Sequence, residues 1–316
     1  MITSPLQKTL CILALALAAC AVVSAQGKFL GSREKTPRPK IIGIAGVKIL
    51  STDVPRAREF YRSAFLGHVA DFDSNECIWC ENASGDVAFR LGSGQIVVIA
   101  PAPKPAPSNL LASIAFVVSD ENEMKGYLGG IKVKFKELSF HPPLNEKYLA
   151  VTDPEGHLIY FVAEENNPVQ TTGFPRLIHA GFIVKDRAAM DKFYKDVLGF
   201  HLYWTGGMKD DASDWVDMQV PDGTDWVEYM LNVDANADQH SRGVMNHFAV
   251  GVPSVKQAAE TLKASGGTFE EPPQIGRDGK WQLNLYDPDQ TRVELMEFNP
   301  VEKPCCSSYT GPHPKP

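Results

Sequence analysis

The chain has 316 residues, 44% of them apolar and 22% charged, the profile of a soluble globular protein with room for two domains of ordinary size, each with its own core. A formal net charge of −7 gives no electrostatic footprint for DNA or RNA, which argues against nucleic acid as a partner.

The N-terminal segment reads as a targeting sequence. Lys8 is a short basic start, Thr9 to Val23 is an apolar run too short to span a bilayer comfortably, and Val23-Ser24-Ala25 before Gln26 is a small-residue cleavage site. Residues 1–25 are therefore expected to be a signal peptide, and the protein to be exported to the periplasm or secreted. Leu17-Ala18-Ala19-Cys20 offers a second route, because it resembles a bacterial lipobox; residues 1–19 would then be removed and a lipidated Cys20 would attach the protein to a membrane. The residues leave both routes open. Residues 26–40 form a basic spacer. In an oxidising compartment the pair Cys77 and Cys80 reads as a local disulfide or two inert thiols; neither a second CxxC nor a nearby His completes a zinc set.

Two copies of one pattern follow. Asp53 to Tyr61 matches Asp186 to Tyr194 at an offset of 133 residues, and Asp153-Pro154-Glu155-Gly156 matches Asp287-Pro288-Asp289-Gln290 at an offset of 134. Landmarks a hundred residues apart that keep their spacing indicate a duplication. The modules are expected at 41–165 and 176–298, with 166–175 (Pro168, Gly173, Pro175) as linker. The tail 299–316, punctuated by Pro300, Pro304, Pro312, Pro314 and Pro316, is expected to be unstructured.

Each copy reads as two smaller units. In the second, a strand over Ala180 to Val184 leads to an Asp and then a helix whose Met190, Phe193, Tyr194 and Val197 share one face; Gly199 ends it. Strands are predicted over His201 to Trp204, Trp215 to Val220 and Trp226 to Val233. The order recurs with a strand from Asn246 to Val252, a helix from Ser254 to Ala264, and strands around Thr268, over Trp281 to Tyr286 and over Arg292 to Phe298. The fold class is therefore α+β, with four βαβββ units in two tandem modules.

Paired βαβββ units carrying Ile178-His179-Ala180-Gly181-Phe182, Asn246-His247-Phe248-Ala249-Val250, and Asp287-Pro288 followed by Val293-Glu294-Leu295 resemble the vicinal oxygen chelate superfamily, the glyoxalase, bleomycin-resistance and extradiol dioxygenase group. The resemblance covers roughly Ile41 to Phe298. It implies that each module curls into an open, cup-like barrel with helices outside and a metal held on strand residues. The implied ligands are His179, Glu228, His247 and Glu294, all in the second module. Independently of the family, a carboxylate such as Glu294 among apolar strand neighbours is costly to bury unless paired or metal-bound. Two imidazoles with one or two carboxylates suit one divalent ion of Fe, Mn, Zn, Ni or Co, and three ligands without Glu228 would also be competent. The matching positions of the first module are Gly46, Ser113 and Tyr160, so that module is expected to hold no metal. His141, His157 and His313 read as turn or loop residues.

The resemblance implies a small-molecule substrate rich in oxygen, or aromatic, and glyoxalase-like isomerase or lyase chemistry in which the metal stabilises an enolate and Glu294 or Glu228 moves the proton. Strand parity turns Gln282 and Asn284 toward the cup, with Arg292 and Met296 on the face of Glu294, which makes Gln282, Asn284 and Arg292 candidate substrate contacts. A type I extradiol dioxygenase is the alternative, weakened because Asn284 stands where that pattern places a Tyr and because no further His precedes the tail. A metal-free binder of bleomycin-resistance type is the other. The duplication supplies within one chain the contact that single-module relatives need from a second subunit, which favours a monomer over a homodimer.

Overall fold

The computed structural model describes residues 36–72, 85–139, 147–166, 168–170 and 172–316. The leader with Cys20, most of the basic spacer, Cys77, Cys80 and His141 lie outside the described residues. Arg38–Pro316 is one compact unit.

Its first half runs β1 (Ile41–Ser51), α1 (Val54–Ala64), β2 (Val69–Phe72), β3 (Val87–Leu91), β4 (Ile96–Pro101), and then β5 (Leu111–Val118), α2 (Glu121–Gly130), β6 (Lys136–Ser139), β7 (Lys147–Thr152) and β8 (Leu158–Ala163). The second half repeats the order with β9 (Arg176–Ile183), α3 (Arg187–Asp191), β10 (His201–Gly206), β11 (Trp215–Gln219) and β12 (Trp226–Met230). A short helix, α4 (Gln239–Met245), leads into β13 (His247–Val252), α5 (Val255–Ala264), β14 (Gln274–Ile275), β15 (Trp281–Tyr286) and β16 (Arg292–Glu297). The two sheets have one topology, β2-β3-β4-β1-β5-β8-β7-β6 and β10-β11-β12-β9-β13-β16-β15-β14. Four βαβββ units in two curled α+β sheets are therefore present. The strand expected around Thr268 is not formed; the edge strand begins later, at Gln274.

Every unit turns from strand to helix on a side-chain cap. Asp53, Asp120 and Asp186 each accept the amide of the residue three positions on, and Ser254 does the same for Gln257. In the second half Met190, Phe193 and Tyr194 are buried as the predicted face requires, and α3 widens into a π-helical turn over Lys192–Val197 that carries the last two inward.

The helix sides of the two sheets do not form separate cores. Ile49, Tyr61 and Phe116 from the first half join Phe182, Tyr194 and Phe248 from the second in one continuous apolar cluster. The expectation of a separate core for each domain is corrected accordingly: side chains of one half pack against those of the other, with the Tyr61 ring 6.1 Å from Phe248 and Phe116 5.4 Å from Phe200.

The junction is reciprocal in its polar groups. Asp287 Oδ1 accepts the amides of Asp289 and Thr291 within its own turn, while Oδ2 accepts the Tyr61 hydroxyl at 2.9 Å. Asp153 Oδ1 likewise accepts from Glu155 and His157, and Oδ2 accepts the Tyr194 hydroxyl at 3.4 Å. Asp225 takes the amide of Ile44 across the junction, as Gln95 takes that of Leu177. His157 packs into its turn, against Asp153 and the Phe182 ring.

Two groups of side chains line the inner faces of the sheets. The first cup is lined by Ala45, Val98, Ala115, Tyr148 and Tyr160, an apolar set. The second contains Ile178, Tyr203, Trp204, Trp226 and Met296. The tail is folded against this second cup, contrary to the sequence expectation. Tyr309 donates to the Asp278 carbonyl at 2.9 Å, the Thr310 amide donates to the Tyr203 carbonyl at 3.0 Å, and His313 meets the Tyr203 hydroxyl. Proline fixes the chain for these contacts without needing a strand partner, and the aromatic residues between supply the buried area.

Burial raises the Asp287 carboxyl to about 6, against the amides and the Tyr61 hydroxyl that favour its charged form. A carboxyl raised on folding contributes stability below its unfolded value and loses it as pH rises through the folded value. Tyr61→Phe removes a donor to the carboxylate, so it should cost about 1–3 kcal/mol at pH 8 and measurably less at pH 5, read by urea unfolding at each pH.

Candidate metal centre

The central strands of the second sheet bring the four predicted ligands together. β12 pairs with β9 so that Glu228 lies opposite Gly181; β13 pairs with β9 so that His247 also lies opposite Gly181; and β16 runs beside β13 with Glu294 opposite Ala249. A Cβ on Gly181 would stand 2.2 Å from His247 Cε1, so glycine at this position is what lets the imidazole lie across β9.

His179, Glu228 and His247 converge on one point, and Glu294 lies beside them. His179 Nε2 is 3.1 Å from His247 Nε2, and Glu228 Oε2 is 3.1 Å from His247 Nε2 and 3.7 Å from His179 Nε2. Glu294 Oε2 is 3.5 Å from His179 Nε2 and 3.9 Å from His247 Nε2. Donors that share one ion through bonds of about 2.0–2.2 Å have spacings of this size. His247 Nδ1 lies 3.2 Å from the Met245 carbonyl, which can only accept, so Nδ1 carries the proton and Nε2 presents its lone pair inward.

The electrostatics match that role. Burial and the Arg292 guanidinium push His247 down to about 4, leaving the imidazole neutral near pH 7. Burial by itself would raise Glu294, but Arg292 and the two imidazoles outweigh it and bring the carboxyl down to about 2. Glu228 is also held below its ordinary value: the imidazoles, His247 first, overcome its burial. Two carboxylate oxygens and two imidazole nitrogens thus face one another inside the protein, with the His247 lone pair turned inward. A cation is the group that makes such a cluster favourable, and the residues present fit a divalent ion.

The candidate substrate contacts sit on the same face. In the β15–β16 pairing Asn284 is opposite Glu294, Gln282 opposite Met296, and Tyr286 opposite Arg292. Leu283 and Leu285 point to the shared core on the other face. Gln282 bonds Asp278, Asn284 Oδ1 is buried with no partner among the described residues, and Arg292 places Nη2 2.7 Å from His247 Nε2. Arg292 is thus set against a ligand rather than out in the cup.

Corresponding register in the first sheet shows what duplication has changed. Gly46 opposite Ala115 matches His179 opposite Ala249, and Lys48 opposite Ser113 matches Gly181 opposite His247. Val98 lies opposite Lys48 as Glu228 lies opposite Gly181, and Tyr160 is paired with Ala150 as Glu294 is with Asn284. No donor set arises from these positions.

Residues the sequence reading passed over complete the second cup. Asp217 is opposite Glu228, on the same face. Lys280 lies fully buried over the rings of Trp226, Tyr203 and Tyr309. Burial raises Asp278 to about 6 despite the nearby Lys280 ammonium. The period-two pattern of β11 was the available signal for Asp217; nothing local marked Lys280 or the tail.

Comparison with known proteins agrees with this geometry. Residues 176–295 match the family model of the Glyoxalase/Bleomycin resistance protein/Dioxygenase superfamily, and the second module is a domain of that superfamily. The chain is 27% identical over 124 residues to lactoylglutathione lyase of Haemophilus influenzae, a match covering 39% of this chain and 92% of that enzyme. It is 26% identical over 135 residues to a probable chloroplastic lactoylglutathione lyase of Arabidopsis thaliana, covering 42% of this chain and 38% of the plant protein, so it spans well under two thirds of that relative. In fold it is similar to the 2,3-dioxygenase LapB from Pseudomonas sp. KL28, with a TM-score of 0.61, 15% identity, and coverage of 89% of this chain and 96% of that one. Homoprotocatechuate 2,3-dioxygenase from Arthrobacter globiformis gives a TM-score of 0.58 at 18% identity, covering 83% and 81%.

Two outcomes are expected. Gly181→Ala should displace the His247 ring and weaken Zn(II) or Mn(II) binding at least about tenfold, and His179→Ala with His247→Ala should abolish it, both read by metal analysis after dialysis. Because His247 is neutral down to about 4, uptake should be nearly constant between about pH 6 and pH 8 and fall steeply toward pH 4, followed by competition with a chelating dye.

Proposed function

We propose that the second cup is the active site of a divalent-metal enzyme that isomerises or cleaves a small molecule carrying vicinal oxygens. The observation that carries this reading is Glu228: a second carboxylate, 3.1 Å from His247 Nε2, added to the His179, His247, Glu294 set. When bound, the metal would act as a Lewis acid that polarises the substrate oxygens and lowers the pKa of an adjacent C–H.

The protein's own residues divide the remaining work. Glu294, its side chain 3% exposed and flanked by Arg292, is the fixed ligand; Glu228, at 13%, is the carboxylate that reaches open cup and moves the proton. His247 holds its lone pair inward, and Trp226, tilted against His179 with the ring centroids 4.8 Å apart, excludes water from one side. Sequence similarity to lactoylglutathione lyases over this module supports the same reaction class.

A second reading is ring cleavage of a catechol. Similarity of fold to 2,3-dioxygenases across both modules favours it, and a three-ligand site without Glu228 would serve. Asn284 in place of a tyrosine argues against it. Metal-free sequestration is the least favoured, because the buried acceptors of the cup face one another.

We also propose that the protein works outside the cytoplasm. The leader-like N-terminus supports export, and the bond between adjacent Cys305 and Cys306 is suited to an oxidising compartment.

The test is exchange in deuterated buffer. Metal-loaded protein offered S-lactoylglutathione or hydroxyacetone should incorporate solvent deuterium at the carbon beside the carbonyl, measured by NMR, with no oxygen consumed. Glu228→Gln should slow this by about 10²–10⁴-fold. Oxygen uptake with catechols and no exchange would instead establish the second reading.

A further inference from the structure

The bond between Cys305 and Cys306 cannot act as most disulfides do. A cross-link lowers the entropy of the unfolded chain by an amount that grows with the loop it closes, and here the sequence separation is 1. Its effect is therefore local: it closes a ring around one peptide unit and fixes the backbone there. Cys306 sits at a φ of 68°, in the left-handed region that residues with a Cβ seldom adopt and hold only where their surroundings impose it.

That turn is where the tail is pinned. The Cys305 amide donates to the Arg277 carbonyl at 2.8 Å, between β14 and β15, and the Cys305 carbonyl accepts from Trp204 Nε1 at 3.2 Å, on β10. Ser307 Oγ follows, accepting the Thr205 amide at 2.9 Å and donating to the Thr205 carbonyl at 3.1 Å, and the Thr310 amide reaches the Tyr203 carbonyl at 3.0 Å. Tyr203 and Thr205 belong to β10, which ends the second sheet, so the tail covers backbone groups of an edge strand. Further on, Gln219 Nε2 donates to the Pro312 carbonyl at 2.9 Å. Tyr309 is one of the three rings around the fully buried Lys280 ammonium, with its centroid 5.2 Å from Nζ. Lifting the tail would uncover both the β10 edge and Lys280.

The bond itself is within reach of a reductant. Cys306 is exposed and Cys305 half-buried. Arg277 donates through Nε to the Gly207 carbonyl and through Nη2 to Asp210, which fixes Nη2 3.9 Å from Cys306 Sγ, where a guanidinium favours a thiolate. Exposed disulfides are among the labile ones in thiol exchange. A thiolate of an external dithiol would attack Cys306 Sγ, breaking the sulfur–sulfur bond with Cys305 as the leaving thiolate. The dithiol's second sulfur then displaces Cys306. The dithiol ends as a disulfide, and its two protons end on the two cysteines.

We propose that the Cys305–Cys306 bond is a redox latch: reduction by a dithiol frees Cys306 from its left-handed turn, releases the tail from the edge of β10 and opens the wall of the second cup that Tyr309 and His313 form. The latch acts on the tail and is independent of the reaction run in the cup.

The test uses the full-length air-oxidised protein, its Cys305–Cys306 bond first shown by peptide mass spectrometry, with dithiothreitol as the dithiol. Reduction should speed hydrogen exchange of the Cys305 and Thr310 amides at least about tenfold, and Lys280 should change from unreactive to acetylated by acetic anhydride. Untreated Cys306→Ser, which lacks this bond but keeps Cys77 and Cys80, should behave like the reduced protein. Amides of β13 should stay protected in every sample, which separates release of the tail from loss of the fold. Unchanged exchange in the reduced wild-type protein overturns the latch, as do a Cys306→Ser protein whose tail stays protected and a loss of protection that spreads to β13. Free thiols at both positions in the air-oxidised protein overturn it as well.

Discussion

Two buried tyrosine–aspartate hydrogen bonds, Tyr61 to Asp287 and Tyr194 to Asp153, hold the duplicated halves in register. Each aspartate spends one oxygen on the amides of its own turn and the other on the opposite half. Its turn is therefore closed and its neighbour docked by one side chain, and the carboxylate avoids the penalty of burial without a partner. Because the tyrosine comes from a helix and the aspartate from the loop before the last strand of a sheet, the pair fixes helix against sheet across the junction. The shared apolar core then follows, and with it the curvature that turns the inner face of each sheet into a cup.

Inside the two cups the same backbone supports opposite chemistry. Matching register positions hold Gly46, Val98, Ser113 and Tyr160 in one half and His179, Glu228, His247 and Glu294 in the other. The first set builds an apolar lining, and Tyr160 finds Tyr148 at 5.4 Å. The second concentrates acceptors around the Arg292 guanidinium, and the two carboxylates leave charge for a divalent ion to balance. Gly181 makes that concentration possible by leaving room for the His247 ring, whereas its counterpart Lys48 carries a long side chain that pairs with Asp86 at 3.4 Å.

The tail changes the character of the second cup. Through Tyr309 and His313 it adds aromatic surface over Tyr203, Trp204 and Lys280, and beside the Cys305–Cys306 bond the Cys305 carbonyl accepts from Trp204 Nε1. An ammonium among three rings is desolvated yet stabilised by their electron-rich faces, and in low dielectric its reach toward Asp217, Asp278 and Glu294 is long. The second cup is consequently a drier and more strongly polarised space than four ligand residues alone would make it.

By itself the sequence determined the repeated pattern and the βαβββ order of the units, because period-two alternation, Asp caps and Asp-Pro turns are local signals that survive without tertiary context. Parity along Trp281 to Tyr286 was enough to put Leu283 and Leu285 in the core and Asn284 beside Glu294. Tertiary structure alone decided the rest. That the halves share one core depends on Tyr61 and Tyr194 reaching across to the opposite half; that a proline-rich tail folds depends on a cup able to take Tyr309; and that Lys280 lies over Trp226, Tyr203 and Tyr309 depends on the turn before β15 and the tail closing on the same cup. Such contacts join residues far apart in the chain, and no local pattern encodes the distance between them.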